Sequence, residues 1–297
     1  MNNSSKYLIF LFSSFLYFFY KNLKDKLNIF FRKFKKFNVK LNEIEKIDTK
    51  KNNKINVLVI DTVHHRLNIY TDYILLEYLK NIFDCEITGL MNENDNQSKS
   101  FFKFIGSKNI IELNEGSIKE KFFYFLKALK IISKYKTDDV KSFIKLEVNS
   151  INLGRSVYDH LIRSSGIGSH KKIDAKFVMF LTDALHYNAK FNNIFNEKSY
   201  DYLILSELQF LPSNILIQAA LKKKVKVISR VHGPKNIGTR IYKNFEERFD
   251  SNNKISKEFL SKIVDNNLEY YSQKGYEEIS NIYQGKTNNP DFYSKNV

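Results

Sequence analysis

Three short apolar runs restrict what this chain can fold into. Ile55–Ile60 (INVLVI), Tyr202–Ser206 (YLILS) and Val225–Ser229 (VKVIS) are nearly continuous rather than alternating, the pattern of strands covered on both faces. Between and beside them lie Tyr73–Phe83, Ile118–Tyr135 and Asn214–Leu221, whose apolar residues recur at helical spacing. Cys85–Leu90 and Asn109–Leu113 add two further expected strands. Such strands alternating with helices predict an α/β fold class with a doubly wound parallel sheet. At 43% apolar and 15% aromatic residues, 297 residues suffice for a sizeable core. Three prolines, ten glycines and a single cysteine exclude a collagen-like chain, a disulfide scaffold and a Cys-rich zinc module. Cys85 reads as a reduced, buried thiol.

The formal net charge is +16, and it is uneven, because residues 1–56 carry thirteen basic and four acidic side chains. Within that arm Tyr7–Tyr20 is uncharged. As a helix it reaches about 21 Å, short of the ~30 Å hydrocarbon core of a bilayer. Next, Leu23, Leu27, Phe30, Phe31, Phe34 and Phe37 recur every three or four residues, with Lys24, Lys26, Arg32, Lys33, Lys35 and Lys36 largely on other faces. This is a basic amphipathic helix, which either lies in a headgroup layer or packs on the protein's own body. The expected partner is an anionic membrane surface, contacted through residues 7–37 as a peripheral helix or a single N-terminal anchor, with the body in the cytoplasm. Helical spacing of the phenylalanines speaks for one apolar face rather than base stacking, so no nucleic acid partner is expected. Residues 38–54 read as a linker, 55–240 as the α/β domain, and 241–297 as a helical extension without a further strand.

In an open parallel sheet, ligands bind beyond the carboxyl ends of the strands. The polar residues expected there are Asp61, Thr62, His64, His65 and Arg66, then Glu207 and Gln209, then Arg230, His232 and Lys235. Such a rim suits an anionic ligand, with His64, His65 or Glu207 available for proton transfer. The alternative for the two histidines is capping of the next helix or simple solvation. No GxGxxG, GxxxxGK[ST], Asp-x-Asp, HExxH or CxxC occurs, so a dinucleotide loop, a P-loop and a metal site have no support. Gly166–Gly168 reads as a turn.

The most distinctive stretch is Asn149–Gly168. Asp159 and Arg163 are four apart, the interval of a helical salt bridge, and Arg155, four residues before Asp159, falls on the same face. Ile151, Gly154, Val157, Tyr158, Asp159, Ile162 and Arg163 resemble a pattern of bacterial capsular and surface polysaccharide biosynthesis proteins, glycosyltransferase-like chains of the two-Rossmann-domain (GT-B) type. Arg155 stands where an acidic residue is usual in them, and Ser206, Glu207 and Phe210 stand where a His or Thr followed by Tyr is common. The resemblance implies a Rossmann-like acceptor-side domain, with a nucleotide-sugar domain further along or in a partner glycosyltransferase. It implies a protein at the cytoplasmic face of the inner membrane that transfers a sugar from a nucleotide-sugar to a lipid-linked saccharide. The nucleotide-sugar would be the donor substrate, with no tightly bound cofactor and no metal. His64, His65 and Glu207 are the candidate catalytic bases. Arg66, Arg155, Tyr158, Asp159, Arg163, Arg230 and His232 are the candidate substrate-binding residues. A non-catalytic, membrane-anchored saccharide-binding or assembly subunit is the alternative.

Overall fold

The computed structural model describes residues 3–32, 53–61, 66–166, 169–231, 238–244 and 247, with 267, 269–270, 272–277 and 280. The chain divides into two compact units, Met1–Arg248 and Phe249–Val297. In the second, the described residues are helical.

The first unit begins with helix α1 (Asn3–Arg32). Strand β1 (Lys54–Asp61), helix α2 (Arg66–Ile82), strand β2 (Asp84–Asn92), helix α3 (Asn96–Phe104) and strand β3 (Asn109–Leu113) follow. Next come α4 (Ile118–Ile132), the short α5 (Val140–Phe143) and a small hairpin, β4 (Glu147–Val148) with β5 (Ile151–Asn152). Helices α6 (Leu153–Ser165) and α7 (Ala175–Glu197) lead to β6 (Tyr202–Leu205), α8 (Ser213–Lys222), β7 (Lys226–Val231) and β8 (Gly238–Tyr242).

The main sheet has six strands in the order β3-β2-β1-β6-β7-β8. The first five are parallel, and β8 runs antiparallel to β7, pairing Arg240 with Ser229. This mostly parallel α/β architecture agrees with the expected class and is compatible with a Rossmann-like fold. The physical basis is visible in β1, whose Leu58 and Ile60 enter one core cluster while Val57 and Val59 enter another. The first cluster is shared with α4, α6, α7 and α8, the second with α2 and α3, so both sheet faces are covered. Asp95 caps α3 by accepting hydrogen bonds from the amides of Gln97 and Ser98 at 3.1 and 3.2 Å. Gly89 of β2 leaves room for the Phe102 ring, which would lie 2.5 Å from a Cβ at that position.

Helix α7 and strand β8 were not expected. Helix α7 is buried along most of its length, with Phe177, Val178, Leu181, Ala184, Leu185 and Phe191 on several sides. A helix enclosed on several sides has no single apolar stripe by which sequence spacing would show it. Strand β8 includes Ile241 and Tyr242, although no strand was expected from Ile241 onward. The N-terminal arm forms one helix that runs through Tyr7–Tyr20 into the basic amphipathic stretch, as expected for a helical segment there. Phe34, Phe37, the lysines beside them and nearly all of the 38–54 linker lie outside the described residues. Among the described residues, no helix is long and apolar enough to cross a membrane.

Candidate functional site

Strand order reverses between β1 and β6. From β1 the chain moves outward through α2 to β2 and β3, then returns through α4–α7 to β6 on the other side of β1. Such a reversal marks the carboxyl ends of β1 and β6 as the usual ligand position in sheets of this kind. Because β1, β6 and β7 are neighbours and parallel, Asp61, Ser206–Glu207 and Arg230 come to the same sheet edge.

Hydroxyl–carboxylate contacts tie this sheet edge to the neighbouring helices. Asp61 is buried, and its Oδ2 accepts a hydrogen bond from the Ser98 hydroxyl of α3 at 3.0 Å. Asp72 of α2 is also buried and accepts from the Ser206 hydroxyl at 2.8 Å, joining α2 to the end of β6. Glu207 is half-buried, and its Oε1 accepts the amide of Gln209 at 2.7 Å, which shapes the loop leaving β6. Asn214, wholly buried at the start of α8, donates to the Gln209 carbonyl at 2.8 Å.

Helix α6 brings its last turns to this loop. The Arg163 guanidinium lies 5.4 Å from the centre of the Phe210 ring. His160, one turn earlier, packs its ring against Phe180 at 4.8 Å and Phe210 at 6.5 Å. Burial lowers the His160 pKa, with Asp183 opposing, so its ring is neutral at pH 7. Two buried atoms here, His160 Nδ1 and Asn214 Oδ1, have no hydrogen-bond partner. Beside the end of α6 a cleft of about 330 Å³ is lined by Tyr17, Tyr20 and Lys24 of α1, Ser164 and Ser165 of α6, and Lys176 of α7.

Compared with protein-family models, curated proteins and solved structures, the chain matches none.

Of the candidate residues, Arg163 lies against Phe210 of the loop that carries Glu207 after β6. Arg230 lies in β7 at the same edge and Arg66 opens α2; for both, the backbone position alone is described. His64, His65, His232 and Lys235 lie outside the described residues. Arg155 is eight residues before Arg163, about 12 Å along the helix. It pairs with Asp159, its Nε lying 2.9 Å from Oδ1, whereas the bridge expected from the spacing was Asp159 with Arg163. Tyr158 packs against the core. Sequence reasoning overlooked His160, Asp72 and Asn214; the first two are placed by partners distant in sequence, Phe210 and Ser206, whereas Asn214 bonds locally to Gln209. Among the described residues, no group of three His, Cys, Asp or Glu side chains is arranged to hold a metal ion.

Proposed function

We propose that this is a glycosyltransferase-like protein of surface polysaccharide biosynthesis, engaging a lipid-linked saccharide acceptor at the carboxyl ends of β1 and β6. The observation that carries the reading is the topological reversal, which gathers Asp61, Ser206, Glu207 and Arg230 at one sheet edge. In this reading Glu207 accepts the proton of the acceptor hydroxyl as the hydroxyl oxygen attacks the donor sugar, with His64 and His65 as alternative bases. Arg163, Arg230 and His232 hold phosphate or sugar oxygens, a task suited to the planar guanidinium donor set. Arg163 is already placed against Phe210, an aromatic surface on which a sugar ring can rest. The unmatched His160 Nδ1 and Asn214 Oδ1 provide further hydrogen-bonding capacity near the same loop. Stabilisation of the leaving nucleoside diphosphate belongs to a second domain or a partner glycosyltransferase closing over the donor. The body would work at the cytoplasmic face of the inner membrane.

The test incubates the full chain with labelled nucleotide-sugars and a lipid extract. The wild type should label lipid, and Glu207→Gln should lower kcat by roughly a hundredfold without shifting the melting temperature. Equal rates from both proteins would remove Glu207 from the chemistry. One observation favours the second reading, a saccharide-binding or assembly subunit: Asp61, Asp72 and Glu207 all accept hydrogen bonds from within the fold. Saccharide binding without any transfer, in the presence of the partner enzyme's donor, would support it.

A further inference from the structure

The side of α1 turned away from the body is apolar along most of the helix. Ile9, Phe12, Leu16, Phe19, Leu23 and Leu27 recur every three or four residues and are each 53–65% exposed. Helical geometry confines these six to a sector about 80° wide. The charges run the other way. Lys21 reaches Asp183 at 2.7 Å and Asp25 at 3.3 Å, Arg32 reaches Glu115 at 3.6 Å, and Asp25 meets Lys121 at 3.7 Å. Burial disfavours the Lys21 charge, but Asp183 and Asp25 outweigh it and hold the pKa above its ordinary value. An ordinary surface helix shows its charges to water and hides its apolar stripe. Helix α1 exposes an apolar stripe and turns Lys21, Asp25 and Arg32 toward partners on the body.

The inner side of α1 is fixed lengthwise. Ser14 and Phe18 are buried, and the rings of Phe15 and Phe18 lie 5.0 and 4.8 Å from Phe125 of α4. A helix held at Phe15, Phe18, Lys21 and Arg32 lies along the body and is not free to cross a bilayer. Helix α4 widens the outer surface: the ring of Phe122 is 6.0 Å from that of Phe18, and Phe123 and Leu126 are exposed.

We propose that the outer faces of α1 and α4 rest on an anionic lipid bilayer, with α1 in the plane of the interface. Exposed Lys24 and Lys26 border the stripe on α1, and exposed Lys119, Lys127 and Lys130 accompany it on α4, placed to meet anionic headgroups. The same lysines disfavour a second copy as the occupant, since each chain carries +16 and lysine borders would face each other. The proposal rests on α1 and α4 alone. Its failure would leave the strand-end reading intact, and the converse also holds.

Flotation of the full chain with phosphatidylcholine vesicles containing about 30% phosphatidylglycerol tests it, pure phosphatidylcholine serving as the neutral control. The wild type should float with anionic vesicles. Leu16→Glu, Leu23→Glu and Leu27→Glu combined, all at exposed positions, should reduce the bound fraction by roughly tenfold or more. Failure of the wild type to float, or equal flotation by the triple variant, overturns the proposal. So does a wild-type dimer that the triple variant converts to a monomer while lipid binding is absent. The chain contains no tryptophan, so single reporters are unambiguous. Leu16→Trp, Leu27→Trp and Leu126→Trp should shift to the blue on anionic vesicles. Tyr78→Trp, on α2 at the other sheet face, should not shift. Absence of a shift at the first three positions also overturns the proposal, whether or not the triple variant folds.

Discussion

A missing methyl group at Gly154 sets the packing of α6. A Cβ there would lie 1.9 Å from the Phe143 carbonyl oxygen, a contact that only backbone movement relieves. The Gly154 amide donates to the Leu146 carbonyl at 3.0 Å, so both sides of the contact are tied down. Gly154→Ala should therefore cost about 3 kcal/mol in urea unfolding, the upper end of the usual range for overpacked cores with backbone shifts. A variant as stable as the wild type would show that α6 can move freely. The same neighbourhood explains what the distinctive Asn149–Gly168 stretch encodes. Ile151, Gly154 and Val157 are buried, Tyr158 packs on the core, and Asp159 pairs with Arg155. Much of the pattern that carries the family resemblance is thus accounted for by packing. Sequence spacing placed Arg155 and Asp159 on one helix face, which is where they pair, although the bridge it led one to expect was Asp159 with Arg163. It gave no notice of His160 or Arg163 beside Phe210, a contact spanning about fifty residues.

Helices α4 and α7 meet at a seam sensitive to acid. His186 of α7 is buried, its ring 5.4 Å from that of Tyr124 on α4 and stacked on Tyr187. Its Nε2 lies 3.2 Å from Glu120 Oε1 without the alignment of a hydrogen bond. Burial, reinforced by Lys190 and opposed by Glu120, lowers its pKa to about 4. Since the unfolded value is near 6.5, the unfolded chain takes up the proton first as pH falls. The contribution of neutral His186 is complete above pH 6.5 and is lost progressively down to about pH 4, amounting to about 3 kcal/mol. His186→Phe should reduce the decline in unfolding free energy between pH 7 and 4 by that amount. Identical pH profiles for the two proteins would contradict the assignment. Helix α1 shows how far an element could be read in advance. Its period was clear, but the periodic residues are apolar on both sides, and the inward side is chosen by Asp183 and Phe125, more than a hundred residues away.

The sheet was the most readable feature, because strands enclosed on both faces leave continuous apolar runs with no competing pattern. Ile55–Ile60, Tyr202–Ser206 and Val225–Ser229 correspond to β1, β6 and β7 within a residue or two. Strand β8 was not readable: it has five residues, and Ile241 is 52% exposed. Its place comes from pairing with β7 instead of from its own apolar content. The chemistry of this strand-end edge was readable only in part. The strand ends were known from the runs themselves, but Asp72 and Ser98 reach Ser206 and Asp61 from α2 and α3. The functional reading depends on a ligand occupying this edge of the sheet. In a Cys85→Ser background, Gln209→Cys marks the strand-end edge and Lys226→Cys the opposite edge, both at exposed positions. Each is coupled to a photo-crosslinker and exposed to the lipid-linked saccharide fraction. Adducts at position 209 and none at 226 are the predicted result, whereas adducts at 226 with none at 209 would contradict it.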